Sequence, residues 1–268
     1  MNIVRSADEM RGTLDYIASL PKPVILGFTG VPPDDIMREA VKLSDTIIDL
    51  DMPRDNVPLA KAEDVVPSIC CATLRTITAN TLLLKSLDWI VFSSGIDKCD
   101  GGRFIAEMLK KSLDIPVVMT ENLNMEKAGN PICESDLPLL EKFNRIVNGV
   151  VVPDTRPVNK CEPQFGFWGV PPNDFSILEL FPPQTHVFGW ARCMENRTPA
   201  DVSLEEYVNP DIPTIFFAQA FCPKNILAYS LARRYNGLYV EVDNRVDRSI
   251  KAKIEAFLWL SHNNRHPR

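Results

Sequence analysis

Short apolar runs, many rich in Val, Ile and Phe, alternate along the chain with longer stretches whose apolar positions follow a helical period. This alternation is typical of an α/β fold with parallel strands. In the first half it predicts strands at Pro23–Phe28, Thr46–Leu50, Trp89–Ser93 and Val117–Thr120. It predicts helices at Ala7–Leu20, Asp34–Leu43, Ala72–Lys85 and Gly102–Lys111. Asp34 is a suitable N-cap for the second of these helices.

The second half repeats this order after a connecting helix at Asp136–Val147. The predicted strands are Gln164–Trp168, His186–Gly189, Thr214–Ala218 and Leu238–Val242. The predicted helices are Asp174–Leu180, Asn225–Tyr235 and Arg248–Ser261.

One segment of nine residues occurs almost twice. Gly27–Asp35 returns as Gly166–Asp174, with seven identities in nine positions and a shift of 139 residues. Such a match indicates two lobes related by internal duplication, and we expect a cleft between them. The expected divisions are an N-terminal lobe over 1–130, a connecting helix and linker over 131–160, and a C-terminal lobe over 161–268.

Composition narrows the functional classes. The net charge of −6, without clustered Lys and Arg, disfavours a nucleic-acid partner. Apolar runs stay well below the roughly 20 residues that cross a bilayer, and the first residues are polar and acidic. We therefore expect a cytoplasmic protein with no membrane partner. The glycine-rich motifs of dinucleotide and P-loop nucleotide sites do not occur.

The chain has seven cysteines but only three histidines, so sulfur would supply most of any metal site. In parallel α/β sheets, ligands bind where strands lead into helices. Cys71, Cys99 and Cys222 each follow an apolar run and precede a predicted helix, so we expect all three at strand-to-helix junctions. The dipole of a helix N-terminus favours a thiolate there.

Three thiolates facing a cleft are suited to an iron–sulfur cluster with one iron open to a non-protein ligand. The alternative is that these cysteines are small packing residues at tight turns. Either Cys70 or Cys71 is available as the first ligand. We favour Cys71, because Arg75 one turn later is placed to offset cluster charge or bind an anion. Cys133, Cys161 and Cys193 are interpreted as structural, as is His186. For Cys161 and Cys193 the alternative is a place near the cleft, because they flank the second copy of the repeated segment.

The order of several short motifs resembles the iron–sulfur subunits of the 2-hydroxyacyl-CoA dehydratase / benzoyl-CoA reductase family. The matching segments are Gly27–Ile36, Cys71–Arg75, Leu87–Phe92, Cys99–Arg103, Phe221–Pro223 and Lys251–Leu258. The resemblance is spread over most of the chain, although each motif is short.

This resemblance implies two Rossmann-like lobes and a cluster, expected to be of the 4Fe–4S type, held by Cys71, Cys99 and Cys222. It implies oxygen-sensitive, low-potential reduction or dehydration of a thioester, by a lyase or an oxidoreductase. It also implies a second homologous subunit or a homodimer, and a separate ATP-dependent electron donor. The chain departs from the family in its shorter length, in Gly101 and Gly102, and in Pro223 directly after the third cysteine.

Three functions therefore stand beside each other. The first is an enzyme that acts on an acyl thioester or small molecule at the cluster, with Arg75 or Arg103 as the anion partner. The second is a non-catalytic cluster carrier or an electron-transfer or assembly subunit. The third is a cluster-free protein whose two lobes bind a small ligand.

Overall fold

The computed structural model describes residues 3–265, which form two compact units. Unit 1 comprises Met1–Met125 together with Arg197–Pro199, and unit 2 comprises Glu126–Asn196 together with Ala200–Arg268. The chain therefore leaves unit 2 briefly, after residue 196, to contribute three residues to unit 1.

Unit 1 is built on a four-stranded, all-parallel sheet. Its strands are β1 (Ile25–Thr29), β2 (Thr46–Asp49), β3 (Trp89–Ser93) and β4 (Val117–Thr120), in the spatial order β2-β1-β3-β4. The helices are α1 (Arg11–Ala18), α2 (Asp34–Leu43), α3 (Ala72–Leu83) and α4 (Asp100–Ser112), with short 3₁₀ helices at Asp8–Met10 and Leu59–Asp64. All five residues of β3 are buried, as expected for an interior strand covered on both faces.

Unit 2 has a second sheet of the same kind. Its strands are β5 (Phe165–Trp168), β6 (Thr185–Phe188), β7 (Thr214–Gln219) and β8 (Leu238–Val242), in the order β6-β5-β7-β8. Its helices are α5 (Leu139–Gly149), α6 (Trp190–Asn196), α7 (Val202–Glu206), α8 (Lys224–Arg234) and α9 (Arg248–Arg265), with a 3₁₀ helix at Phe175–Leu180. Each unit thus has a Rossmann-like architecture of parallel strands flanked by helices, as predicted.

The duplicated segment occupies equivalent places in the two sheets. Gly27 lies in β1 and Gly166 lies in β5. Each of these strands is interior, because β1 lies between β2 and β3, and β5 lies between β6 and β7. Gly27 pairs with Ile90 and Gly166 pairs with Thr214, so residues 90 and 214 are equivalent. The repeat in the sequence therefore marks the same strand and turn in both units.

The predicted bounds hold for β3, β4, β8 and α2, and the remaining strands are shifted by one or two residues at either end. Asp34 is not the N-cap of α2, because Pro33 holds that position and Asp34 is the first helical residue. The predicted helix at Asp174–Leu180 is a 3₁₀ helix over Phe175–Leu180. Asp174 is its N-cap and accepts a hydrogen bond from Ser176 N, and the prolines at 182 and 183 prevent the helix from continuing.

Three elements were not predicted: the 3₁₀ helix at Leu59–Asp64 and the short helices α6 and α7. Each is seven residues or shorter, which is too short for a helical period to emerge from the sequence. Asp201 is the visible signal for α7, since its carboxylate accepts hydrogen bonds from Ser203 N and Leu204 N.

Candidate functional site

Several polar groups of unit 1 lie at the carboxyl end of its sheet, near β1 and β3. The strand order reverses at this point, because β2 lies on one side of β1 and β3 on the other. Ligands of open α/β sheets bind at such a switch point, between the loops that leave the two strands. In unit 1 these loops run from β1 to α2 and from β3 to α4.

The turn after β1 is shaped by Gly30. Its φ of +61° lies in the left-handed region, and a Cβ atom there would come within 2.9 Å of the Cβ atom of Ser93. Glycine is required for both reasons. The Gly30 N–H donates to Asp51 Oδ2 at 2.6 Å, while Leu50 O accepts from Asn80 Nδ2 at 2.9 Å. A side chain of α3 thus completes the backbone hydrogen bonding where the strand ladder ends.

Two acids lie close together at the end of β2. Asp51 N donates to Asp49 Oδ1 at 2.9 Å. Burial raises the pKa of Asp51 to about 6, against the opposing effects of the Gly30 N–H and the positive charge of Lys98. Burial, and then the charge of Asp51, raise the pKa of Asp49 well above its usual value. Asp49, Asp51 and Lys98 were not among the sequence candidates, because nothing in their spacing shows that they meet.

Cys99 lies at the strand-to-helix junction predicted for it. It follows β3, is exposed, and is the N-cap of α4, where its Sγ accepts a hydrogen bond from Gly102 N at 3.4 Å. Gly101, in the first turn of α4, has a packing role, since a Cβ atom there would lie 2.8 Å from Leu74 Cδ1 of α3. The first turns of α3 and α4 therefore approach closely beside Cys99.

Cys71 is not at a strand-to-helix junction, contrary to the prediction. The run Val65–Ile69 forms turns after the 3₁₀ helix at Leu59–Asp64, and Pro67 interrupts it. Cys71 is nevertheless the N-cap residue of α3, and it is buried, whereas Cys70 is half-buried. Both cysteines stay candidate sulfur donors in unit 1.

The two predicted arginines differ in their surroundings. Arg75 is buried, and its Nε donates to Cys70 O at 3.0 Å, so this side chain is turned towards the turn that precedes Cys71. Arg103 is partly exposed, with Nη1 3.6 Å from Asp100 Oδ1. Its buried Nε has no hydrogen-bond acceptor among residues 3–265. Of the two arginines, Arg103 is therefore the one whose guanidinium group solvent reaches.

Cys222 lies at the predicted junction in unit 2. It is half-buried and follows β7, one residue before Pro223, the N-cap residue of α8. Its amide donates to Gln219 O at 3.1 Å and its carbonyl accepts from Asn225 N at 2.9 Å. Phe221, directly before it, has a φ of +62°, which L-residues rarely adopt, so this turn is tightly constrained.

Cys99 and Cys222 are nearly equivalent in the duplicated architecture. Residues 90 and 214 occupy the same sheet position, and α4 and α8 both begin ten residues later, at Asp100 and Lys224. Cys99 is thus the residue directly before the helix in unit 1, and Cys222 is two residues before it in unit 2. Cys71 has no counterpart of this kind, since it belongs to the connection between β2 and β3.

Among residues 3–265, no three or more His, Cys, Asp or Glu side chains form a group able to hold one metal ion. Cys71 and Cys99 belong to unit 1, and Cys222 belongs to unit 2. The donor chemistry fits a cluster at Cys99, where an exposed sulfur already accepts a backbone N–H as cluster-ligating sulfurs do.

The remaining cysteines have structural surroundings, as expected. Cys133 and Cys193 are fully buried, and burial raises the pKa of both thiols, that of Cys193 to about 11. Cys161 Sγ donates to Ser135 O at 3.1 Å. His186 is buried in β6 and its Nε2 donates to Cys161 O at 2.9 Å, so it is a satisfied core histidine.

Lys142, which was not a candidate from the sequence, is a buried lysine of unit 2. Its ammonium group donates to Pro183 O at 3.1 Å and Thr185 O at 2.5 Å. Burial lowers the pKa of Lys142 to about 8. Because its bonds run to the backbone at the start of β6, we assign Lys142 to the structure of unit 2.

Comparison with known proteins gives no relative: neither a protein-family model nor a curated protein matches the chain. Between residues 3 and 265, each helix is too short or too polar to span a lipid bilayer.

Proposed function

We propose that the chain is an iron–sulfur protein of the 2-hydroxyacyl-CoA dehydratase type, with Cys99 and Cys222 as two of its cluster ligands. The near-equivalence of these cysteines is the observation that carries the proposal. Each lies within two residues of the start of the helix that follows the third strand of its unit. Since the surrounding residues have diverged, the two thiols are explained by a shared chemical task better than by packing.

Cys71 is the third proposed ligand. It precedes α3, whose first turn contacts the first turn of α4 through Leu74 and Gly101. Cys70 is the alternative donor at the same turn, and it is the more exposed of the two.

A cluster of this kind supplies low-potential electrons and an open iron, as the family resemblance implies. Of the two arginines, Arg103 is the better partner for an anionic substrate, because its side chain is partly exposed whereas Arg75 is buried. Arg75 instead fixes the turn that carries Cys70 and Cys71. The substrate class that follows is an acyl thioester or another small anion.

Anaerobic reconstitution with iron and sulfide tests the proposal. The protein is expected to bind both and to show visible charge-transfer absorption. Cys71→Ala, Cys99→Ala and Cys222→Ala should each lose most of the bound iron, and Cys70→Ala decides between the neighbouring thiols. Cys161→Ala is the matched control and should retain the iron. A colourless wild-type protein without iron would overturn the proposal.

A second experiment separates an enzyme from a cluster carrier. If an iron is open, adding an acyl-CoA thioester to the reduced protein should shift the electron paramagnetic resonance signal. A signal unchanged by the thioester would favour a carrier or electron-transfer subunit.

The cluster-free alternative is favoured by a different observation. Gly30, Asp51 and Lys98 converge at the switch point of unit 1, where small ligands bind in folds of this class. Thermal stabilisation of an iron-free protein by a small anion, lost in Lys98→Ala, would support this function.

A further inference from the structure

The segment Arg197–Pro199 follows α6 of unit 2 in sequence but belongs to unit 1. Arg197 is a non-glycine residue in the left-handed region, with a φ of +57°. Its carbonyl oxygen accepts hydrogen bonds from Asn122 Nδ2 at 3.0 Å and from Asn124 Nδ2 at 3.2 Å. Thr198 beside it is buried. A strained backbone of this kind persists only where surrounding contacts determine it.

The Arg197 side chain reaches the start of α2. Its Nη2 lies 3.1 Å from Asp34 Oδ1, which is an ion-pair distance, and the side chain is only 14% exposed. Burial lowers the pKa of the guanidinium, and the charge of Asp34 opposes that effect. Asp34 is the first residue of α2 and directly follows the turn at residues 30–33. Arg197 is thus tied to the loop that leaves β1 at the switch point.

The duplicated segment offers an internal comparison. Its last residue is Asp in both copies, and each accepts a remote backbone N–H: Asp35 from Ala7 and Asp174 from Val246. The preceding residue differs. Asp34 contacts Arg197, whereas Asn173 of unit 2 accepts from Gln219 Nε2 at 2.9 Å. The negative charge is therefore present at Asp34, whose partner is the cation Arg197, and absent at Asn173, whose partner is the neutral amide of Gln219.

We propose that Arg197 is a positioning residue, and that the segment Arg197–Pro199 is a strap that holds the turn at residues 30–33 and the first turn of α2 at the carboxyl end of β1. The strap requires no cluster, so this inference goes beyond the proposed function and is independent of it.

Hydrogen–deuterium exchange of the full chain, resolved by peptide, tests the strap. In Arg197→Ala, amides of residues 34–40 should exchange about tenfold faster, as expected when a charge-assisted contact no longer opposes local opening. Amides of β7 should be unchanged. Arg197→Lys, which keeps the positive charge, should restore most of the protection. Arg11→Ala is the matched control, because it removes an exposed arginine–aspartate pair with Asp8.

Asp34→Asn keeps the test decisive if Arg197→Ala does not fold. This variant copies the residue of unit 2 and should accelerate exchange in the same peptides. Adding Arg197→Ala to it should cause no further acceleration there. Exchange at residues 34–40 that stays at the wild-type rate in either foldable variant would overturn the proposal.

Discussion

Units 1 and 2 share one strand order but have cores of different chemistry. The main core cluster of unit 1 contains a single aromatic residue, Phe92, among fifteen buried residues. In unit 2 the ring of Phe167 contacts three others, those of Phe143, Phe181 and Phe217, at centroid distances of 5.4 to 5.8 Å. Unit 1 also buries Phe28 and Trp89, yet unit 2 buries more rings, so aromatic side chains fill more of the core in unit 2 than in unit 1. The positions of buried residues determine the fold, and their identities are free to change if the volume is filled.

The carboxyl ends of the sheets differ more sharply than the cores. Gly27 pairs with Ile48 and Gly166 with His186, so Asp49 is equivalent to Val187 and Asp51 to Gly189. Unit 1 thus has an acidic pair where unit 2 has none. The two units share the sheet order and have a cysteine near the equivalent strand-to-helix junction, whereas the polar residues around that junction differ.

The largest expected effect is a loss of stability on replacing Gly166 of β5, compared with the same change at Gly27 of β1. A Cβ atom at Gly166 would lie 2.7 Å from the Phe188 ring and 3.1 Å from Thr214 Cβ. At Gly27 the nearest atom is the flexible end of Leu50, at 2.9 Å. Because rigid neighbours must move, Gly166→Ala should lower the free energy of unfolding by about 3 kcal/mol, and Gly27→Ala by about 1 kcal/mol. Chemical denaturation measures both, and equal losses would contradict the difference in packing.

A smaller effect should come from the acidic pair of unit 1. Since the pKa values of Asp49 and Asp51 are raised in the folded state, unfolding releases protons. The free energy of unfolding should therefore fall as the pH rises from roughly 4, the ordinary aspartate range, through the pKa of Asp51 at about 6. Asp49→Asn removes a carboxyl group whose ionisation is opposed by burial and then by the charge of Asp51. It should therefore stabilise the protein by about 1 kcal/mol at neutral pH, with no gain near pH 4.

Thermal unfolding across this pH range provides the measurement. Asp55→Asn is the control, because Asp55 is an exposed acid and its removal changes the net charge by the same amount. If Asp55→Asn stabilises the protein as much as Asp49→Asn, the effect comes from overall charge and the local pair has no special role.

The sequence was informative about elements and much less informative about the site. Apolar runs such as Trp89–Ser93 reported buried strands directly, and the repeated segment predicted two units of one plan. The run Val65–Ile69 is apolar like a strand, but it forms turns, and Pro67 interrupts it. Gly30, Asp51 and Lys98 lie close together because of the order of the strands in the sheet, and local sequence patterns do not encode that order. The contact of Arg197 with Asp34 spans more than half the chain and has no local signal.

The smallest expected effect concerns the two strand-to-helix junctions that carry Cys99 and Cys222. The thiol of Cys99 caps α4 with a 3.4 Å hydrogen bond from Gly102 N, whereas serine is among the preferred N-cap residues. Cys99→Ser should therefore raise the free energy of unfolding of the iron-free protein by about 0.5 kcal/mol. Cys222→Ser is the matched control and should give no gain, because Cys222 precedes the N-cap residue Pro223. A gain at residue 99 alone, read from the unfolding midpoint, would mean that cysteine is kept there at a cost to stability. A loss on Cys99→Ser would instead assign the thiol a packing role and weaken the case for a ligand.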